Sequence, residues 1–321
     1  MVNWGIIGYG RMGKQFLQCF NDSTKNCKIA GIASKSNFKE IVKNDLNNFN
    51  NYEELINSND IDAIYISTTN QSHKEIVLKA IKQNKKILCE KPLGVNYQEV
   101  SELHKALKDK KNNFFEAIAY RSHPQTNAIL NLLKDNQYGE VKKIVSNFGF
   151  RNKKIKKESR LFSKFLGGGA ILDLGCYPVS FFNLFSNNEN KINFIKSNFE
   201  TCNTGVDIDS EIFLNIGKKI EAYAHVSLKK NLNNICKIYF EKATVTIPTP
   251  WIPSEKTYLE IETKSRYHKD FIISDKNVYN YQLELVSSFF LNQNNDKNFL
   301  VDINESLEIS RIIDLWLKNN N

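Results

Sequence analysis

The chain reads as an α/β domain on a doubly wound parallel sheet, followed by an α+β domain with a large, mostly antiparallel open sheet. Three observations predict this. Strand and helix patterns alternate over the first 120 or so residues with short connections; a glycine-rich turn joins the first strand to the first helix; and from Phe194 onward extended stretches follow one another through short turns.

The 321 residues exceed one ordinary core and divide naturally into two domains, expected at residues 1–121 and 122–321. A 41% hydrophobic share supports globular folding. The net charge of +9 does not form a stripe: lysines are mixed with asparagines and spread along the chain, as at Lys229 to Asn234. A nucleic-acid partner is therefore not expected, whereas an anionic small ligand is compatible. The densest basic cluster, Arg151 to Arg160, is a candidate substrate-side loop. Six cysteines without close paired spacing indicate neither a zinc site nor a disulfide framework, and no metal is expected. The chain enters its first strand without a basic leader, and no stretch approaches the ~18 apolar residues of a membrane helix. A cytoplasmic protein without a membrane partner is the expectation.

Each element of the first half has a local reason. Trp4 to Ile7 is a strand, and Gly8-Tyr9-Gly10-Arg11-Met12-Gly13 opens a helix through Phe16, Leu17 and Phe20. Gly8 permits the tight turn, Gly10 lets backbone approach a pyrophosphate, and Gly13 allows helix to pack on strand, which is the dinucleotide pattern of a Rossmann domain. The strand Lys28 to Ala33 ends at Ser34-Lys35-Ser36, where an NAD site wants an acid. Hydroxyls and a cation suit a 2′-phosphate, so NADP is preferred, with NAD the alternative. The strand Ile61 to Ser67 ends in Thr68-Thr69-Asn70-Gln71-Ser72-His73, whose hydroxyl and amide groups can serve a helix cap or the cofactor. His73 is either structural or on the cofactor side. Ile87-Leu88-Cys89 is a buried strand that stops on Glu90-Lys91-Pro92. It sets Lys91 at a strand's C-terminal end, where open α/β sheets bind ligands. A helix bearing Val100, Leu103, His104 and Leu107 and a strand from Asn113 to Tyr120 complete this half.

In the second half Gln125 to Leu133 reads as a helix and Val141 to Phe150 as a strand. Between them and the later strands lies Gly167-Gly168-Gly169-Ala170-Ile171-Leu172-Asp173-Leu174-Gly175-Cys176-Tyr177. If residues 170–177 are helical, Asp173 and Tyr177 share a face. A tyrosine hydroxyl titrates near ~10, so proton transfer at neutral pH needs a nearby cation, and Lys91 is a candidate. Near the C-terminus Asp302 and Glu305 form a capping-box pattern before Leu307, Ile309, Ile312, Ile313 and Leu317. This marks a closing helix at about 302–318, expected to pack back towards the first domain.

The glycine turn, Cys89 to Leu93, Glu116 through Pro124, Gly139-Glu140-Val141 and Gly167 through Tyr177 resemble, in order and spacing, the glucose-fructose oxidoreductase, inositol dehydrogenase and MocA family (Gfo/Idh/MocA). Tyr177, where many members carry histidine, resembles the branch with dimeric dihydrodiol dehydrogenase and NADP-dependent D-xylose dehydrogenase. The resemblance implies Lys91 and Tyr177 as the catalytic pair. It implies Asp173 as a substrate-orienting group, and Glu90, Thr68, Asn70 and Arg121 as cofactor-lining groups. Thr69 departs from the proline common in the family. Arg160, at the end of the basic cluster, joins Asp173 as a substrate-side candidate.

The expected activity is hydride transfer between NADP(H) and a hydroxyl- or carbonyl-bearing carbon of a sugar or polyol-like molecule. Two rival readings remain: a ketoreductase on a nucleotide-linked sugar, its diphosphate on the basic loop, and a non-enzymatic NADP-sensing regulator. A homodimer or homotetramer through the C-terminal sheet is also expected, since an antiparallel sheet can bury one face against a mate.

Overall fold

The computed structural model describes residues 1–21, 26–35, 46–187, 189–294 and 297–320. It divides into two compact units, Met1–Ser122 with Tyr279–Leu307, and His123–Val278 with Glu308–Asn321. The second expected domain is therefore not one continuous stretch: residues 279–307 belong to the first unit.

Among the described residues the first unit holds six parallel strands: β1 (Val2–Ile7), β2 (Cys27–Ala33), β3 (Asn47–Phe49), β4 (Ala63–Ile66), β5 (Lys86–Glu90) and β6 (Phe114–Ala117). Their order is β3-β2-β1-β4-β5-β6, the doubly wound order that reverses at β1. Helices α1 (Arg11–Asn21), α2 (Tyr52–Asn57), α3 (His73–Lys82) and α4 (Tyr97–Ala106) provide the crossovers. β1, β4, β5 and β6 are buried on both faces and read as largely apolar runs, as the centre of a parallel sheet requires, whereas the edge strand β3 is polar and mostly exposed.

The second unit begins with α5 (Pro124–Asp135) and β7 (Val141–Gly149). A π-helical turn at Ile171–Gly175 runs into α6 (Cys176–Asn183). Then come β8 (Ile192–Thr201), β9 (Asp207–Ile216), β10 (Ile220–Ser227), β11 (Cys236–Phe240), β12 (Ala243–Ile247), β13 (Lys256–Thr263) and β14 (Tyr267–Ile273). These form an eight-stranded sheet ordered β14-β13-β12-β11-β7-β10-β9-β8. β7 and β10 pair in parallel and the other neighbours are antiparallel. Ile144, Ile212, Ala224, Ile238 and Val245 are buried, whereas the alternate positions Val145, Phe213, Tyr223, Tyr239 and Tyr258 are half-buried.

Two last helices, α7 (Val278–Phe290) and α8 (Ile303–Lys318), close the chain. Leu283, Val286, Phe289 and Phe290 of α7 join Trp4, Phe16, Tyr65 and Phe115 in one cluster of the first unit. That cover is why residues 279–307 belong there. The closing helix does not act as one piece of either domain: Ile303 belongs to a first-unit cluster, whereas Trp316 packs against Gly175 of the second unit. The expected capping box is half-formed. Asp302 Oδ1 accepts from the Glu305 amide at 3.1 Å, but the Glu305 carboxylate is bound to Arg121.

Candidate functional site

The glycine turn is pinned from both sides. The Gly8 amide donates to Ala33 O at 2.9 Å, and the Ser67 hydroxyl donates to Gly8 O at 2.7 Å. Gly8 has φ +93°, a region costly for any side chain, and a Cβ on Gly13 would sit 2.2 Å from Gly8 O. Gly10 is different: nothing lies within 4 Å of where its Cβ would be. The turn is closed on the protein side and open on the other at the N-terminus of α1, which fits a dinucleotide phosphate approaching backbone amides.

The predicted lining residues separate into two groups. Arg11 is exposed, Met12 half-buried, and Lys35 exposed with its ammonium 5.8 Å from the centre of the Tyr52 ring. Ser34 Oγ accepts from the Tyr9 amide at 3.4 Å. Ser36 lies outside the described residues. The Tyr9 ring, in contrast, belongs to the buried core, so only its backbone is at the turn. Thr68 Oγ1 and Thr69 O accept from the Ser72 hydroxyl at 2.7 Å each, so Ser72 locks the turn and does not cap α3. Asn70 is buried beside them.

Two residues weighed for the cofactor side, His73 and Arg121, are internal. His73 is 0% exposed, with Nδ1 at 2.9 Å from Pro92 O and Nε2 at 3.3 Å from Thr68 O. It braces the ends of β4 and β5 against each other and offers no surface to a ligand. Arg121 is 4% exposed, and its guanidinium holds Glu305 and the Asn298 carbonyl, so it too is internal. A buried arginine requires such a partner, which the sequence pattern alone did not reveal.

At the end of β5, Glu90 is buried and accepts from the Tyr65 hydroxyl. Burial raises its pKa, while Tyr65, Lys91 and Arg11 pull it back down. Lys91 is half-buried and precedes a cis peptide bond to Pro92. Glu116, at the end of β6, is 3% exposed and accepts from the Leu93 amide at 3.0 Å. Burial pushes its pKa up to about 7, against the pull of that amide and of the Lys91 charge.

In the second unit the structure joins two predicted residues: Arg160 donates to Asp173 Oδ1 at 2.7 Å. Asp173 is 5% exposed, on the π-helical turn, and Tyr177 follows it in the first turn of α6, half-buried. The stretch 170–177 is therefore helical, a hybrid of π and α geometry. The Tyr177 ring meets Phe148 edge-on at 5.2 Å and Trp251 at 6.1 Å, so its position is set by aromatic walls.

Sequence reasoning missed the brace beneath this turn. Asp207 Oδ2 accepts from the Ile171 amide at 2.7 Å, and a Cβ on Gly169 would sit 2.2 Å from Asp207 Oδ1. Burial raises the Asp207 pKa to about 6 in spite of the Ile171, Asp207 and Ala170 amides, which favour the carboxylate. Trp251, whose indole N–H donates to Asn147 O at 3.3 Å, was missed as well. Neither residue carries a local signal, because each acts on a segment far away in sequence.

A reversing six-strand parallel sheet with this glycine turn defines a dinucleotide-binding fold. Residues 2–118 match the model of the oxidoreductase family with an NAD-binding Rossmann fold, and residues 126–246 match the GFO/IDH/MocA C-terminal domain. The chain belongs to the GFO/IDH/MocA oxidoreductase family, and its cofactor is a nicotinamide dinucleotide. It is 32% identical over 261 residues to trans-1,2-dihydrobenzene-1,2-diol dehydrogenase of Xenopus tropicalis, covering 79% of this chain and 77% of that protein. Among solved structures it resembles KijD10, a 3-ketoreductase from Actinomadura kijaniata crystallised with NADP and TDP-benzene (TM-score 0.87, 17% identity, 100% and 98% of the two chains). It also resembles an aldose-aldose oxidoreductase from Caulobacter crescentus (TM-score 0.85, 18% identity, 99% and 96%). Among the described residues no helix is long and apolar enough to cross a membrane.

Proposed function

We propose that this oxidoreductase exchanges a hydride between NADP(H) and a hydroxyl- or carbonyl-bearing carbon of a sugar or polyol-like molecule, with Lys91 and Tyr177 as its proton-handling pair. The observation that carries the reading is the Asp173–Tyr177 turn. A buried carboxylate held by Arg160 and a half-buried phenol in an aromatic frame follow each other on one short helical segment. Bound, the nicotinamide ring supplies or takes up the hydride. In the reducing direction Tyr177 gives a proton to the substrate oxygen, and Lys91 supplies the positive charge that oxygen needs. Asp173, with Arg160, orients substrate hydroxyls.

Tyr177→Phe and Lys91→Ala are each expected to lower turnover roughly 10²–10⁴-fold while NADPH binding, followed by its fluorescence, is largely kept. Near-normal turnover in both purified variants removes the assignment. Preference for NADP rests on Ser34 and the exposed Lys35 where an NAD site carries an acid. Lys35→Ala should weaken NADPH about tenfold and leave NADH unchanged. Self-association uses the half-buried aromatic face of the eight-stranded sheet, where the Tyr258 and Phe271 rings meet at a tilt with centroids 5.7 Å apart and Phe271 and Ile273 stand 71% and 76% exposed. Sedimentation of Phe271→Glu beside the natural chain tests this, and an unchanged mass refutes it.

A further inference from the structure

The second unit contains a cavity of about 530 Å³, within the size range of small-molecule sites. Its floor is apolar, made by the buried side chains of Phe162, Ile208 and Leu228. Its rim is cationic: Arg151 and Lys153 come from the loop after β7, Lys229 and Lys230 from the loop after β10, and no acid lines it.

The two loops are laced together beyond the ends of their parallel strands. The Phe150 amide donates to Ser227 O at 3.0 Å and the Asn152 amide to Leu228 O at 2.9 Å. Asn231 Oδ1 accepts from the Arg151 amide at 2.7 Å, and Asn234 Oδ1 from the Gly149 amide at 2.7 Å. These bonds hold the four cations around one opening. Lys229 is paired with Glu200 and Lys230 with Asp209, both outside the lining. Arg151 and Lys153 have no ion pair among the described residues. The cavity thus keeps an unbalanced positive charge over a surface on which a ring can lie.

Its walls are chain neighbours of the catalytic turn. Phe162 stands two residues from Arg160, which holds Asp173, and Leu161 O accepts from the Gly169 amide at 2.9 Å. Ile208 follows Asp207, which holds the Ile171 amide.

We infer that this cavity binds the phosphate of a phosphorylated sugar-like substrate, with Arg151 and Lys153 on the phosphate oxygens and the apolar floor under the adjoining ring. The inference rests on the proposed sugar oxidoreductase function and names its substrate class. Phosphate is favoured over a single carboxylate because two of the four rim cations, Arg151 and Lys153, carry charge that no acid among the described residues balances, and a guanidinium fork matches phosphate oxygens. The phosphate is either a terminal monoester or the diphosphate of a nucleotide-linked sugar; the cavity chemistry is the same for both.

The test is calorimetric titration of the full chain saturated with NADPH, so that the glycine turn is occupied. The probes are glucose, glucose 6-phosphate and UDP-glucose. One or both phosphorylated probes are expected to bind, glucose at least tenfold more weakly, and affinity to fall with added salt. The stronger of the two phosphorylated probes identifies the source. Arg151→Ala with Lys153→Ala should weaken it roughly 10–100-fold, whereas the same loss of charge at Lys105 and Lys108 should not. Equal binding of glucose, no binding of either phosphorylated probe, or indifference to the Arg151/Lys153 change overturns the inference. Tyr177→Phe separates it from the reading beneath: phosphate binding kept with turnover lost supports both, and phosphate binding kept with turnover unchanged sinks only the catalytic assignment.

Discussion

Glu116 illustrates what a single buried charge does to the molecule. Its pKa rises from an ordinary 4.5 to about 7 because burial disfavours the carboxylate. Between those values the folded chain keeps a proton that the unfolded chain has lost, so stability is full below the lower value and falls as pH rises through the higher one. The cost is on the order of 3 kcal/mol by pH 8. Glu116→Gln should flatten this part of the profile, measured by urea unfolding at pH 5 and pH 8; identical slopes in both proteins refute it. His123 has the opposite sign. Burial lowers its pKa to about 4, and its Nδ1 accepts from the Gln125 amide at 3.1 Å, so its contribution is present above its ordinary value and lost as pH falls towards 4. The glycines make a second residue-scale test. Gly10→Ala should leave the melting temperature unchanged and weaken the dinucleotide, because its neighbourhood is empty of protein. Gly13→Ala should damage both, since its Cβ meets Gly8 O at 2.2 Å.

Helix starts show how an element borrows its ends. Asn51 and Asn96 cap α2 and α4, each accepting at 2.9 Å from the amide of a glutamate three residues on. Those glutamates reach back, Glu54 to the Asn50 amide at 2.9 Å and Glu99 to the Val95 amide at 3.0 Å. Asn96→Ala should cost about 1 kcal/mol, read as a lower denaturation midpoint with unchanged m. α8 has the same signature in Asp302 and Glu305, yet its glutamate is taken by Arg121. The same motif therefore closes on itself where the glutamate has no stronger partner, and opens where a buried guanidinium claims it.

The whole molecule is less divisible than its sequence order suggests. The first unit needs α7, because Trp4 Nε1 donates to Ser287 Oγ at 3.0 Å and Phe115 packs edge-on to Phe289 at 5.0 Å. A fragment of residues 1–122 lacks that cover. It should bind a hydrophobic dye and melt without a cooperative transition, and a sharp calorimetric peak from the fragment refutes this.

Chain-local chemistry was enough to announce the parallel sheet, the glycine turn and the strand end bearing Lys91, because periodicity and glycine placement act within a few residues. It also singled out Asp173, Tyr177 and Arg160 as candidates, without showing that Arg160 grips Asp173. The strands β3, β12 and β14 left little pattern, and α7 gave no sign of which core it would cover. The internal roles of His73 and Arg121, the Asp207 brace and the cationic cavity came only from folding. Burial, ion pairing and the lacing of two distant loops depend on which segments meet, and no window of sequence contains both partners.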